Sequence, residues 1–292
     1  MQAARIFSVA SCGGLAGYLI SRCSTSTATP SSSMVRCDVL YVENRTESNP
    51  IEQGTNVAKF LSKVEVAPYS VLGTRLSREG KFETITGKPE GSEALVDPAG
   101  LPYVSGQSPM KEAGAASGVI YRWLGVNDFP QDVRDGIKRA TDAKFHKYDE
   151  NKSYVFPRIR TENSELKQTQ TNRVVHVVGP DFRQESKDNR SGLETLARAY
   201  TNILSETARS QVSSLRLLPV SGGVFAAHFR NDIHFMTWHA LVQGFKNLSK
   251  EEQESILKMD SLKMCIFMEK ELDDFERARE WITLSHGSSS KL

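Results

Sequence analysis

Short runs of consecutive apolar residues recur along this chain, and most of them are followed by turn residues and then by a helical pattern. The clearest run covers residues 174–178, where valines flank His176 and the run ends at Gly179-Pro180. Similar runs occur at residues 94–96, 215–220 and 264–268. Apolar runs that do not alternate with polar residues indicate strands covered on both faces. The order of strands and helices therefore predicts an α/β fold, with a mostly parallel central sheet between two layers of helices.

The composition is that of an ordinary globular protein. Charged residues make up 25% of the 292 residues and hydrophobic ones 39%. A net charge of +2 does not favour binding to nucleic acid, and we predict no nucleic-acid partner. The spacing of His228, His234 and His239 misses the pattern of a helical zinc site, so we predict neither a metal site nor another cofactor.

The first 37 residues have the composition of a targeting segment. They contain three arginines and many Ser and Thr residues, but no Asp, Glu or Lys. This composition predicts a mitochondrial transit peptide. Residues 6–20 are apolar, yet the segment is shorter than the roughly 20 residues of a membrane-spanning helix. Its length also fits a secretory signal, and a translation start at Met34 would leave the protein in the cytosol, so both alternatives remain open.

We divide the chain into four parts: a leader (residues 1–37), an N-terminal extension (38–79), one α/β domain (80–285) and a polar tail (286–292). In the extension we predict a strand at residues 39–42 and a polar loop at 43–54. Within the domain, residues 126–172 read as a polar insertion with a short helix near residues 130–145. Capping boxes predict that two further helices begin at Ser191, with Glu194, and at Ser249, with Glu252.

Two loops of small residues stand directly before helical patterns, at residues 114–118 and 221–225. Without large side chains, the backbone N–H groups of such a loop can reach an anion, and the N-terminus of the following helix favours negative charge. A tight turn without a ligand is the alternative. In an open parallel sheet the loops after the strands lie at one edge, so we expect these loops to converge with residues 97–100 and 179–182. His176 is expected to be a core histidine.

Four stretches resemble the macro domain family in their order and spacing: ITGKPEGSEALVDPAG, EAGAASGVIYRWLG, RVVHVVGPDFR and LLPVSGGVFAAHFRNDI. The resemblance implies a three-layer macro-like fold that binds ADP-ribose, with the diphosphate between the two small-residue loops and the ring of Phe225 against the distal ribose. The alternative interpretation of Phe225 is a core aromatic residue. The ligand-binding residues that the resemblance implies are Asp97, Gly114, Ala115, Ala116, Ser117, Gly118, Ser221, Gly222, Gly223, Val224 and Phe225.

The sequence departs from the family at two places that contact the ligand in other members. Lys88 stands where the family has a binding aspartate, and the turn at residues 97–100 replaces an Asn-Ala-Ala-Asn turn. We therefore assign no catalytic residue and predict a protein that binds ADP-ribose, or an ADP-ribosylated protein, without spanning a membrane. One alternative is an ADP-ribosyl hydrolase or deacetylase that uses Asp97 or Glu112. The other is a degenerate macro fold that serves as a structural subunit of a mitochondrial complex.

Overall fold

The computed structural model describes residues 50–148, 172–184 and 188–287. The strand predicted at residues 39–42 and the leader lie outside the described residues. The strands are β1 (Val64–Ala67), β2 (Thr74–Leu76), β3 (Phe82–Thr84), β4 (Glu93–Asp97), β5 (Ala143–Tyr148), β6 (Asn172–Val177), β7 (Ser214–Leu217) and β8 (Ser261–Cys265). The α-helices are α1 (Pro50–Lys63), α2 (Leu101–Val104), α3 (Ala115–Leu124), α4 (Gln131–Gly136), α5 (Asn189–Arg209), α6 (Ile233–Lys246), α7 (Lys250–Lys258) and α8 (Leu272–Gly287).

Six of these strands form one sheet in the order β1-β8-β7-β4-β6-β5. All neighbours pair in parallel except β5, which is antiparallel to β6. The short strands β2 and β3 form a separate antiparallel pair. The predicted α/β class with a mostly parallel sheet is confirmed. Since β4, β7 and β6 are adjacent and parallel, the loops that follow them leave the sheet at the same edge.

The central strands are buried on both faces, as their continuous apolar sequences predict. In β4 the residues from Ala94 to Asp97 are buried, and in β6 those from Val174 to Val177 are buried. Burying a valine or leucine side chain stabilises the fold by about 1.5–3 kcal/mol, so these strands hold the sheet in place. On the helical side, α5 packs against α6 and α7, and α8 packs against α6 and α1.

The ends of the helices follow local capping chemistry. α7 begins with the predicted capping box, in which the Ser249 side chain accepts a hydrogen bond from the Glu252 N–H. The prediction for α5 was wrong. Ser191 was expected to be the N-cap, but the helix already begins at Asn189. Asp188 is the residue at the N-cap, and its carboxylate accepts a hydrogen bond of 2.9 Å from the Ser191 N–H.

Two other local predictions also need correction. The polar loop predicted at residues 43–54 overlaps α1, whose residues Phe60 and Leu61 are fully buried. The polar insertion predicted at residues 126–172 contains β5, an edge strand of the main sheet, and the predicted short helix ends at Gly136.

The sheet and the core also include residues before position 80. β1 pairs with β8 along its whole length, and α1 packs against α8. Both α1 and β1 lie within residues 38–79, which we assigned to an N-terminal extension. None of the helices within the described ranges is long and apolar enough to cross a membrane.

Candidate functional site

Hydrogen bonds between loops draw together the backbone at the carboxyl edge of the sheet. The Ser221 hydroxyl, after β7, donates a hydrogen bond of 2.6 Å to the carbonyl oxygen of Pro180, after β6. The Phe182 N–H donates to the Phe225 carbonyl oxygen at 3.1 Å, which joins the same two loops again. The Ser117 hydroxyl donates to the Pro98 carbonyl oxygen at 3.0 Å and so ties the start of α3 to the turn after β4. These bonds join the loop after β7 to the loop after β6, and the start of α3 to the turn after β4.

The first small-residue loop leads into a helix whose N-terminus has no side-chain cap. Gly114 occupies the N-cap position in an extended conformation and no side chain accepts from the first turn. The N–H groups of Ala115, Ala116 and Ser117 make no hydrogen bond to any described acceptor. Ala115 and Ala116 are exposed, and Ala115 has a φ of 50°. Strained non-glycine residues of this kind occur often at functional sites, and uncapped N–H groups attract anions.

The second small-residue loop has the same two properties. Ser221 has a φ of 59°, so a second non-glycine residue of this edge lies in the left-handed region. The N–H groups of Gly223, Val224 and Phe225 find no acceptor within the described part of the chain. Gly223 and Val224 are exposed. Three successive free N–H groups form a concave donor surface that is suited to an anion.

The glycines of these loops have different structural roles. A Cβ atom at Gly118 would lie 2.1 Å from the Ala113 carbonyl oxygen, and one at Gly222 would lie 2.9 Å from that of Pro219. These two glycines are therefore required by packing within the protein. A Cβ atom at Gly114 or Gly223 would have no neighbour within 4 Å, so both positions face open space.

Asp97 lies in the core. Its carboxylate is fully buried and accepts a hydrogen bond of 2.7 Å from Nδ1 of His176, its register partner in β6. Nε2 of the same ring is 2.9 Å from the Tyr148 hydroxyl of β5, and His176 is buried, as expected of a core histidine. The Tyr121 hydroxyl also lies beside Asp97. Burial and then the negative charge of Asp97 raise the pKa of Tyr121 well above its ordinary value. Asp97 was predicted to contact the ligand, and in the structure its side chain is fully buried and bonded to His176.

Phe225 is half-buried, and one face of its ring is covered by Arg183. The guanidinium carbon of Arg183 lies 4.8 Å from the ring centroid. Asp181 holds this arginine with two hydrogen bonds, from Nε at 2.8 Å and from Nη2 at 2.7 Å. The hydrogen bonds from Arg183 lower the pKa of Asp181 and reciprocally raise the pKa of Arg183. A charged residue thus stands next to the aromatic ring to which the resemblance gives the distal ribose.

One protein family model matches part of this chain. The macro domain family model matches residues 131–236, a stretch that includes β5, β6, β7 and the second small-residue loop. This match covers 106 of the 292 residues, and over that stretch the chain is similar to macro domains. None of the curated proteins matches the sequence of this chain.

Several solved structures are distantly similar. The Oceanobacillus iheyensis macrodomain with ADP is 15% identical, with 67% of this chain and 87% of that chain covered and a TM-score of 0.42. The Trypanosoma brucei macrodomain in complex with ADP-ribose is 15% identical, with 84% of this chain and 95% of that chain covered and a TM-score of 0.38. The alphavirus P23pro-zbd chain is 17% identical, with 70% of this chain covered and a TM-score of 0.41. This chain spans about a quarter of that chain's length. Likeness at this level carries no information on the ligand.

Lys88 and Glu112 are exposed. A cavity of about 420 Å³ lies away from the small-residue loops, between α2 and α4, and Leu101, Val104, Arg134 and Ile137 are among its lining residues. No local sequence pattern indicates the contact of Arg183 with Phe225 or the hydrogen bond of Tyr148 to His176, because both join residues that are distant along the chain.

Proposed function

We propose that this macro domain binds ADP-ribose or a related nucleotide diphosphate, either free or attached to a protein. The diphosphate would lie between residues 114–118 and residues 221–225. The observation that carries the proposal is the set of six free N–H groups in these two loops. The N-terminus of α3 adds a favourable dipole, which contributes about 0.3–1 kcal/mol for a negative charge at an exposed site. Gly114 and Gly223 leave the space that a phosphate group requires.

We propose binding rather than hydrolysis. A hydrolase needs an accessible carboxylate or another group that positions water beside the distal ribose. The carboxylate of Asp97 is fully buried and hydrogen-bonded to His176, so it cannot serve in this way. Glu112 is exposed, but it precedes the first loop and the ring of Phe225 belongs to the second. The hydrolase alternative therefore depends on Glu112 alone.

The second candidate function is that of a structural subunit with a degenerate macro fold. The observation in its favour is the orientation of Asp97, because a residue that the resemblance places beside the ribose stabilises the core instead.

We further propose a mitochondrial location, on the composition of residues 1–37. N-terminal sequencing of the endogenous protein should find a start between about Cys23 and Cys37. An intact Met1, or a glycan on Asn44 or Asn189, would contradict import.

Calorimetric titration of ADP-ribose into the full-length protein tests the binding proposal. The decisive variant is Gly223→Glu, which adds bulk and a negative charge at a position where a side chain meets no protein atom. Losing two or more charge-assisted hydrogen bonds, at about 1.5–3 kcal/mol each, should weaken binding by at least about two orders of magnitude. Gly223→Gln separates the effect of bulk from that of charge, and it should weaken binding less.

Thr283→Glu is the matched control, because it adds the same charge on the exposed face of α8, a helix for which the described residues show no hydrogen bond to either loop. At about 1.5 Å per residue it lies roughly 17 Å along the helix from Leu272, the first residue of α8. This variant should bind ADP-ribose with the affinity of the parent protein, and the melting temperature of all variants should stay close to that of the parent. If the parent protein shows no affinity, or if folded Gly223→Glu binds as well as the parent, the proposal fails and the structural subunit becomes the better explanation.

A further inference from the structure

Arg183 is held in a fixed position at the end of the site where Phe225 lies. Its guanidinium stacks on the ring and is bonded to Asp181 through Nε and Nη2. The backbone beneath it is also fixed, since the Arg183 N–H donates to Asp181 at 3.1 Å and the Phe182 N–H donates to the Phe225 carbonyl oxygen. A planar cation that is fixed in this way needs little further ordering when it binds a ligand.

The guanidinium retains unused donors. Of its five N–H groups, one on Nε and one on Nη2 are directed to Asp181. Nη1 makes no hydrogen bond to any residue that the structure describes, and the side chain is 48% exposed. The free N–H groups of Nη1 and Nη2 point along the outer end of the fork. This is the geometry in which arginine binds a carboxylate or a phosphate with two parallel hydrogen bonds.

We infer that Arg183 determines specificity for the modified protein, by binding an acidic side chain next to the residue that carries the ADP-ribose. The inference rests on the proposed function, in which the distal ribose packs beside Phe225 and the attached protein therefore leaves the site past Arg183. A carboxylate suits this position better than a phosphate, because the negative charge of Asp181 lies on the other side of the guanidinium. Asp181 already neutralises much of the guanidinium's charge, so little attraction remains to offset the larger cost of removing water from a dianionic phosphate.

Three synthetic peptides test the inference. Each carries one ADP-ribosylated serine, flanked by glutamate in the first peptide, by glutamine in the second and by phosphoserine in the third. The full-length protein should bind the glutamate peptide about fivefold more tightly than the glutamine peptide in calorimetric titrations, as expected for an exposed but pre-ordered ion pair. The phosphoserine peptide should bind more weakly than the glutamate peptide.

Arg183→Ala should remove the preference for glutamate while its affinity for the glutamine peptide stays within about twofold of the parent value. Arg183→Lys should retain only part of the preference, because lysine cannot form two parallel hydrogen bonds. The control is Arg209→Ala, which removes another exposed arginine that is paired with a carboxylate, at 2.9 Å from Glu252. Arg209 is the last residue of α5, which leads into the start of β7 at the opposite edge of the sheet. This variant should keep the full preference.

The outcomes separate the two proposals. If the parent protein binds neither the glutamate peptide nor the glutamine peptide, the proposed function fails. If it binds both with equal affinity, or if Arg183→Ala keeps the preference, the role of Arg183 is wrong while the proposed function stands. Tightest binding to the phosphoserine peptide would overturn the assignment of a carboxylate.

Discussion

Replacing Asp97 tests whether the buried hydrogen bond to His176 stabilises the domain. Asp97→Ala would leave the Nδ1–H group of His176 without an acceptor in a site with no solvent exposure. The lost hydrogen bond to a charged group is worth about 1.5–3 kcal/mol, and the unpaired donor adds about 1–3 kcal/mol. We expect the free energy of unfolding to fall by about 3–5 kcal/mol, the range measured when one partner of a buried pair is removed.

Asp97→Asn is the matched variant, and it should have a much smaller effect. The amide oxygen of asparagine can accept the hydrogen bond from Nδ1, and its NH₂ group would face the Tyr121 hydroxyl, which can accept. The second carboxylate oxygen of Asp97 has no partner among the described residues, so the substitution also supplies a donor where an acceptor is unused. The free energy of unfolding should stay within about 1 kcal/mol of the parent value.

Urea denaturation followed by circular dichroism measures both changes, and thermal melts give an independent reading. For a domain of this size each kcal/mol shifts the melting temperature by about 2–4 °C, so Asp97→Ala should lower it by roughly 6–20 °C. A loss of less than about 1 kcal/mol for Asp97→Ala would refute the argument that the pair is stabilising. Equal losses for the alanine and asparagine variants would refute the argument from hydrogen-bond geometry.

Three further predictions concern stability and reactivity. Gly118→Ala should cost about 1–3 kcal/mol in urea denaturation, because its Cβ would overlap the Ala113 carbonyl oxygen, whereas Gly114→Ala should change stability by less than about 0.5 kcal/mol. Ser249→Ala should cost about 1 kcal/mol by removing the capping box of α7, and a loss below the error of the measurement would contradict the role of this cap. Burial raises the pKa of the Cys265 thiol to about 12, so mass spectrometry should find it unmodified after iodoacetamide treatment of the folded protein at pH 8 and alkylated after unfolding.

Elements with a strong local signal were predictable from the sequence. The valines of β6 and the capping box of α7 specify their structures within a few neighbouring residues. Two edge strands, β1 and β5, were missed because they contain charged and half-exposed residues and have no apolar run. Their pairing is decided by the neighbouring strands, and that information is not local.

The loops of the candidate site were predictable from their composition, but the roles of individual residues were not. The sequence cannot distinguish Gly222, which packs against Pro219, from Gly223, which faces open space. The burial of Asp97 likewise follows from the register of β4 against β6, which places His176 directly beside it. Asp97 and His176 are 79 positions apart along the chain, and their contact arises only when the sheet has formed.

Gly179 and Ser221 interlock beneath the second loop. A Cβ atom at Gly179 would lie 2.6 Å from the Ser221 hydroxyl oxygen, which is itself bonded to the Pro180 carbonyl oxygen. The two loops are thus fastened to each other before any ligand arrives, and the donor groups above them have lost most of their conformational freedom during folding. Binding of a ligand there loses less conformational entropy than binding to a mobile loop would, and association does not require a rearrangement of the backbone.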